Sequence, residues 1–458
     1  MSLTDLSFIG VYFPLLLLAY YNPVFRSNGF RKFILFSASL GLYFVCCPLR
    51  FDLMLCVLIA ANFVLVRLSD RFGKRIFRKA AIGLDVSVLL LFKYIARLLG
   101  VFLGNGELTS LAAPIGLSYY VFKLISYAVD SETMERSGSI VDVTIYAANF
   151  LTVVSGPLSA YEDELAYIQT RKHVSVEIAG SGFERIIIGL GKKTLIADSL
   201  GILVKNCFAV PGQSVLMSWA GAIAYTLQIY FDFSGYTDIV LGAGKLFGFE
   251  LPENFNYPYM AKSVSEFWKR WHISLTKWLT KYIYIPLGGS RVNSKARHLF
   301  NLAAVWLVSG LWHGSRLTFL VWAGIYFALQ ALEKYTGLER VLDRCRLGHL
   351  YTMLVVITEW VIFRSQTLTD ARAYLQGMFA FGRNVICAPG DLTMIGRYGV
   401  TFVLGILFAT PIGEKIKEAS DRSAAVRCVY YLGLAAVLCI CIAVSVSQGY
   451  SAPLYADF

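Results

Sequence analysis

Apolar runs recur along almost the whole chain, separated by short polar segments. They cover residues 6–21, 33–46, 53–66, 80–99, 111–129, 143–156 and 183–204 in the first half. They continue at 216–231, 239–249, 299–311, 319–332, 350–362, 400–410 and 429–446. A helix needs about 20 such residues to cross a bilayer, and several runs fall short. The pattern predicts an all-α polytopic membrane protein with roughly eleven crossings, the other runs being re-entrant, tilted or buried in protein. Residues 264–285 differ in kind. Phe267, Trp271, Leu275, Trp278 and Tyr282 fall along one helical face, and Lys269, Arg270, Lys277 and Lys281 lie off it. Tryptophan beside lysine and arginine on such a helix predicts an element lying in the membrane interface. Pro286, Gly288 and Gly289 mark its end. The mixed polar stretch 365–397 reads as a solvent-side excursion.

Composition agrees with the pattern. The 458 residues are 57% hydrophobic and 16% charged, against roughly a quarter charged in soluble domains. Length alone would suggest about three soluble domains; the recurring runs replace them with one membrane body, 1–458. The net charge of +12 does not indicate nucleic acid. Its lysines and arginines cluster in short segments between apolar runs, where they hold loops on the cytoplasmic side. Arg26, Arg31 and Lys32 follow the first run, and Arg67, Arg71, Lys74, Arg75, Arg78 and Lys79 follow the third. With both loops cytoplasmic, the N-terminus lies outside, and so does the Lys- and Arg-free stretch 104–110. The first run lacks the positive flank of a cleaved signal and reads as a retained span. None of the nine cysteines has a zinc-site spacing, and no metal is expected. Cys46, Cys47, Cys56, Cys439 and Cys441 lie in apolar runs and read as small core residues.

Five histidines are present. His313 closes the apolar run WLVSGLWHG, and a group that trades protons near neutral pH is costly in lipid. Neutral imidazole can take the proton of a hydroxyl nucleophile, which is general-base work. A core histidine satisfied by a backbone carbonyl is the alternative, and the residues alone leave both open. His272 follows Trp268 by four residues, so the two are expected to share a helix face. There the alternative is an interfacial ring packed under tryptophan. His173, His298 and His349 lie in or beside polar loops and read as solvated surface. Asp85, Lys93 and Arg97 are spaced for one polar stripe, and Lys192, Lys193 and Asp198 for pairing or snorkelling. Asp232 and Asp238 bracket FDFSGYTD, where Gly235 permits a backbone break. GAGKLFGF at 242–249 lacks the full spacing of a phosphate loop.

Several longer motifs occur in a fixed order. They are PIGLSYYVFKLISYAVD, SGPLSAYEDE, GLGKKTLIADSL, AYTLQIYFDFSGYTD, LPENFNYPY, EFWKRWHISLTKWL, YIYIPLGG and SGLWHG. Together they resemble the membrane-bound O-acyltransferase (MBOAT) family, most of all its bacterial alginate-O-acetylating branch. Lys123 stands where relatives usually carry a neutral amide, and the segment DSETME lacks their usual basic residue.

The resemblance implies a helical body with a central channel, in which 1–110 are N-terminal spans, 111–335 the acyltransferase core and 336–458 C-terminal spans. It implies that His313 is the catalytic histidine and His272 the second signature position. Trp268, Trp271, Trp312, Ser234, Tyr236, Asp238 and Asn254 become candidates to line the substrate passage. No cofactor is expected to be tightly bound; the donor is an acyl thioester, acetyl-CoA by analogy. The implied acceptor is an extracytoplasmic polysaccharide, reached directly or through an extracytoplasmic esterase-like acyltransferase partner. The implied home is the inner membrane of a bacterium, the lipid bilayer being a partner and nucleic acid not. D-alanyl transfer toward teichoic acids and non-enzymatic transport are the competing readings.

Overall fold

The computed structural model describes residues 7–24, 27–104, 113–135, 137–170, 173–209, 213–379 and 385–448, with Arg97 described in its backbone only. The start of the first run, Arg26, the stretch 105–110 and the ending SAPLYADF lie outside the described residues. What is described is helical, with no strand and one isolated bridge. By length and composition three helices suit a membrane crossing: Asn28–Cys46, Leu49–Phe72 and the last, of which Ala424–Ser447 qualifies. A bent pair, Asp391–Arg397 and Gly399–Phe408, meets at 57° and makes a fourth if taken as one span. The other runs lie in helices that are shorter, interrupted by π turns or rich in buried polar groups. Leu18, Val57, Val429 and Leu432 are exposed, as lipid-facing side chains are. Cys56 and Cys439 share that exposed apolar surface, so only Cys47 and Cys441 of the expected core cysteines are buried.

The described residues form two compact units. The first takes those up to Ile186 together with Tyr236–Pro252. Ser27 caps Asn28–Cys46 by accepting from the Phe30 amide, and Pro48 starts Leu49–Phe72, which ends at left-handed Gly73. Arg31 and Lys32 lie in the first turns of a helix rather than in a loop, and Lys32 pairs with Asp142 at 2.6 Å. Leu117–Asp130 is buried on nearly every side, as a helix apolar all round must be. Lys123 is buried near its middle. The ammonium donates to Tyr146 O (2.9 Å), Thr152 Oγ1 (2.7 Å) and Glu164 Oε2 (3.2 Å), and Asn149 and Ser159 also bond Glu164. Asp85 accepts from Asn62 at 2.8 Å, and the π turn Leu91–Ile95 interrupts the stripe expected from Asp85 to Arg97.

The second unit takes Ile187–Gly235 and the described residues from Glu253 onward. Two separate runs, 216–231 and 239–249, were expected around a break at Gly235. The structure instead carries one helix, Val215–Phe247, straight through it. Gly235 serves close approach: a Cβ there would crowd Gly189 O and the backbone at Lys193. Beside this contact Lys193 pairs with Asp198 at 2.5 Å and with Asp232 at 2.8 Å, all within one unit. Asp232 is thus an ion-pair partner. Lys295–His313 starts at Ser294, which accepts from the Arg297 amide, and runs back through Gly314-Ser315-Arg316 into Leu317–Thr336. Gly310 lets this hairpin close, since a Cβ would press on Ala323 and Phe319 O. The hairpin fixes the end of the histidine helix. The polar stretch 365–397 contains the helix Leu368–Met378, started by a reciprocal Thr367–Asp370 cap.

Candidate functional site

The expected interfacial helix is broken in two. Val264–Arg270 stops, Trp271 turns extended, His272 takes φ 45°, ψ 52°, and Ile273–Leu279 begins. A π turn, Thr280–Tyr284, follows. The apolar stripe, expected in the membrane interface, is buried within the protein at Phe267, Trp271, Leu275 and Trp278. Trp268 and His272, however, do not share a helix face, because the helix ends between them. A left-handed backbone costs a non-glycine residue about 1–2 kcal/mol, so something must hold it. The segment at Asn254 does. Asn256 N donates to Arg270 O at 2.9 Å, Ile273 N donates to Asn254 O at 3.0 Å, and Phe255 bridges antiparallel to Trp271.

Asn254 also sets the chemistry of the ring. Its Oδ1 accepts from Ser274 N (3.2 Å) and Ser274 Oγ (2.9 Å) and lies 3.1 Å from His272 Nδ1. An atom accepting from a backbone amide is the amide oxygen, so we assign Nδ1 of His272 as the donor. In the neutral ring Nε2 then carries the lone pair. At the other end of this segment, buried Glu333 accepts from the Val264 amide (2.7 Å), the Ser265 amide (2.9 Å) and Ser265 Oγ (2.7 Å). A carboxylate at a helix N-terminus is favoured by the dipole and by the free amides there.

His313 ends its helix inside a shell of rings. Trp312, Phe363, Trp322 and Phe319 lie at 4.8, 5.0, 5.2 and 5.9 Å between centroids. His272 lies 4.8 Å from Phe233 and 6.0 Å from Trp312. The two imidazoles therefore stand one indole apart, and both are buried. Trp268 packs on Trp306, Trp322 and Tyr326 at 5.0, 5.5 and 5.0 Å, and Trp271 on Trp360 at 4.9 Å. Of the candidate residues, Trp268, Trp271, Trp312 and Asn254 join this cluster with the two histidines. Asp238 does something else: it pairs with Arg185 at 2.9 Å in the first unit. Ser234 and Tyr236 are buried in Val215–Phe247, each in its own unit.

Sequence reading missed the ring neighbours Phe233, Trp322 and Phe363, which sit in or just outside apolar runs and carry no local signal. Glu333, a carboxylate closing an apolar run, was legible in principle, since such groups seldom lie idle. His298 corrects an expectation. It is buried rather than solvated, with Nε2 2.8 Å from Tyr284 OH and 3.0 Å from Lys334 Nζ, and Nδ1 2.7 Å from Tyr335 OH. His173 and His349 are exposed, as read. A cavity of about 730 Å³ opens beside Asn256, Lys262, Glu266 and Arg270 in the same unit, just ahead of His272 in the chain, and neither histidine lines it.

The sequence model of the membrane-bound O-acyltransferase family matches residues 108–340, which span Asn254, His272 and His313. The chain belongs to that family. Among its relatives, the probable alginate O-acetylase AlgI of Pseudomonas putida is 34% identical over 71% of this chain and 69% of its own. The protein of the same name from Pseudomonas aeruginosa is 38% identical over 66% of this chain, an alignment that spans 58% of the relative's length. The peptidoglycan O-acetyltransferase of Helicobacter pylori is 27% identical over 83% of this chain and 80% of its own. Family membership makes the protein a polytopic membrane protein, in keeping with its apolar helices.

Proposed function

We propose that this protein is an O-acyltransferase of a bacterial inner membrane. It moves an acetyl group from a cytoplasmic thioester, acetyl-CoA, for O-acetylation of an extracytoplasmic polysaccharide, directly or through an esterase-like partner outside. The observation that carries the reading is that His272 and His313, from separate elements, meet on Trp312 within one buried aromatic shell. The relatives named as alginate and peptidoglycan O-acetylases support an acetyl group and a polysaccharide acceptor. The apolar runs and basic segments support roughly eleven crossings and an outside N-terminus, and the family match supports a channel through the core at 111–335.

In this scheme the acceptor hydroxyl oxygen bonds to the thioester carbon while His313 takes its proton. The tetrahedral intermediate collapses, the C–S bond breaks, and the departing sulfur receives that proton from the imidazolium. The rings of the shell exclude the water that would otherwise hydrolyse the donor. Two roles were open to His272, orienting a reactant or polarising the developing oxyanion. The tautomer set by Asn254 favours the first, because Nε2 accepts a hydrogen bond from a hydroxyl or amide, whereas an oxyanion needs a donor. Membranes supplied with labelled acetyl-CoA should form acetylated polymer with the wild-type chain. Label entering polymer only from a D-alanyl carrier protein would replace acetyl by D-alanyl, the activity named for the Bacillus subtilis relative at 25% identity. Substrate flux with no acylated product would make the protein a transporter.

A further inference from the structure

One cation in the second unit lacks what its chemistry calls for. Arg364 ends the helix Gly348–Arg364, directly after Phe363, which packs on His313. Its guanidinium carbon stands 4.7 Å from the Phe208 ring centroid and 5.1 Å from that of Tyr225. Ring faces hold a cation but cannot accept its in-plane N–H groups. Among the described residues this guanidinium donates no hydrogen bond and meets no carboxylate, and its Nε is sealed from solvent. A buried donor left in that state costs about 1–3 kcal/mol.

A second guanidinium comes to the same place. Arg316 lies 4.4 Å from the Phe319 ring, another His313 neighbour. Its Nη1 donates to Arg364 O at 3.5 Å and Ser365 O at 3.4 Å. Thr318 Oγ1 donates to Ser365 O at 3.2 Å, so the loop after His313 and the end of the Arg364 helix are laced together. Burial and the Arg364 charge push the Arg316 guanidinium below its ordinary value, and Tyr225 partly offsets them. Two like charges in a half-buried setting repel, and an anion beside them would offset that repulsion and meet the open donors of Arg364.

We propose that Arg364 and Arg316 form an oxyanion-binding subsite beside His313, which takes a carboxylate or phosphate group of a substrate in the acyl transfer. The inference rests on the function proposed above. Guanidinium forks suit both oxyanions. Two sources carry that chemistry, the phosphates of the thioester donor and the carboxylates of an acidic polysaccharide.

The test titrates the full-length protein in detergent with CoA in one arm and an oligo-uronate in the other, a neutral oligosaccharide serving as control. Arg364→Gln should weaken one anionic probe roughly 10- to 100-fold and raise the matching KM alike, with kcat within about threefold. Arg364→Lys should recover part of that loss. Weakening of CoA alone assigns a phosphate; weakening of the oligo-uronate alone assigns a carboxylate. Titrations of both probes that are unchanged in Arg364→Gln, or absent in the wild type, overturn the subsite. If Arg364→Gln does not fold, Arg316→Gln and Arg364→Lys are held to the same criterion. A wild-type protein that binds an anionic probe through Arg364 yet makes no acylated product would sink the acyl-transfer reading and leave the subsite standing.

Discussion

Both units bury polar groups, and they differ in where the unpartnered ones gather. In the first, Lys123 and Glu164 are fully buried and neighbouring groups occupy both: Tyr146 and Thr152 on the ammonium, Asn149 and Ser159 on the carboxylate. Arg78, also buried, spends its donors on Ala128 O, Ser131 and Asp70. In the second, the indole N–H groups of Trp268 and Trp322 and the hydroxyl of Tyr326 are buried with no hydrogen-bond partner among the described residues. Those three rings touch one another, and Trp322 touches His313. The first unit has such atoms too, among them on Asp52, Asn62, Asp85, Tyr120 and Tyr127, but no buried histidine stands among its described residues. A saturated ionic core fixes one packing. Unsatisfied donors gathered round a histidine suit a place that a polar guest enters.

The sharpest break of that contrast is His313→Ala. It should lower acetyl transfer at least ~10²–10⁴-fold, measured with labelled donor in membranes, while the protein accumulates normally. Near wild-type transfer would remove His313 from the mechanism. At the saturated Lys123–Glu164 pair the expected loss is stability. Lys123→Met leaves the Glu164 charge alone and should cost about 3–5 kcal/mol in detergent melting, and Lys123→Met with Glu164→Leu should recover most of it. Equal losses in the single and double variants would mean that the ion pair is not what orders that core. Glu333→Gln weakens the carboxylate hold on Val264–Arg270. A loss of about 1–2 kcal/mol is expected, with transfer falling because His272 is carried on that segment. Unchanged melting and kcat would show that Glu333 positions nothing.

The smallest effect lies at the rim. Burial pushes the Glu266 carboxyl up, but the Lys262 amide and Arg270 outweigh it and hold the group below its ordinary value of 4.5. A depressed carboxylate stabilises fully above the unfolded value and loses that contribution as pH falls through the folded one. Glu266→Gln should therefore lower stability slightly at pH 7, by about 0.3–0.5 kcal/mol, with the difference vanishing well below pH 4. A gap that persists in acid would place its cause outside the ionised carboxylate.

Periodicity recovered what depends on neighbours along the chain. The apolar stripe of 264–285 and the runs at 299–311 and 319–332 correspond to buried faces and to the helices of the His313 hairpin. It failed where the decisive partner is distant in sequence. Helix Val215–Phe247 passes through Gly235 because Gly189 packs there, and the turn at His272 exists because Asn254 pairs with its flanks. The aromatic shell was invisible for the same reason, since nothing beside Phe233 or Phe363 in the chain signals the ring each will meet. The two histidines were singled out by chemistry, whereas the Lys123–Glu164 pair was flagged only as an oddity at Lys123.

The backbone at His272 has a consequence for anyone who would make this protein more robust. Its conformation is natural ground for asparagine or glycine, so a design ranked by thermal tolerance would drift away from histidine at that position. The hardier molecule would have lost its imidazole, and melting curves alone would score that exchange as an improvement.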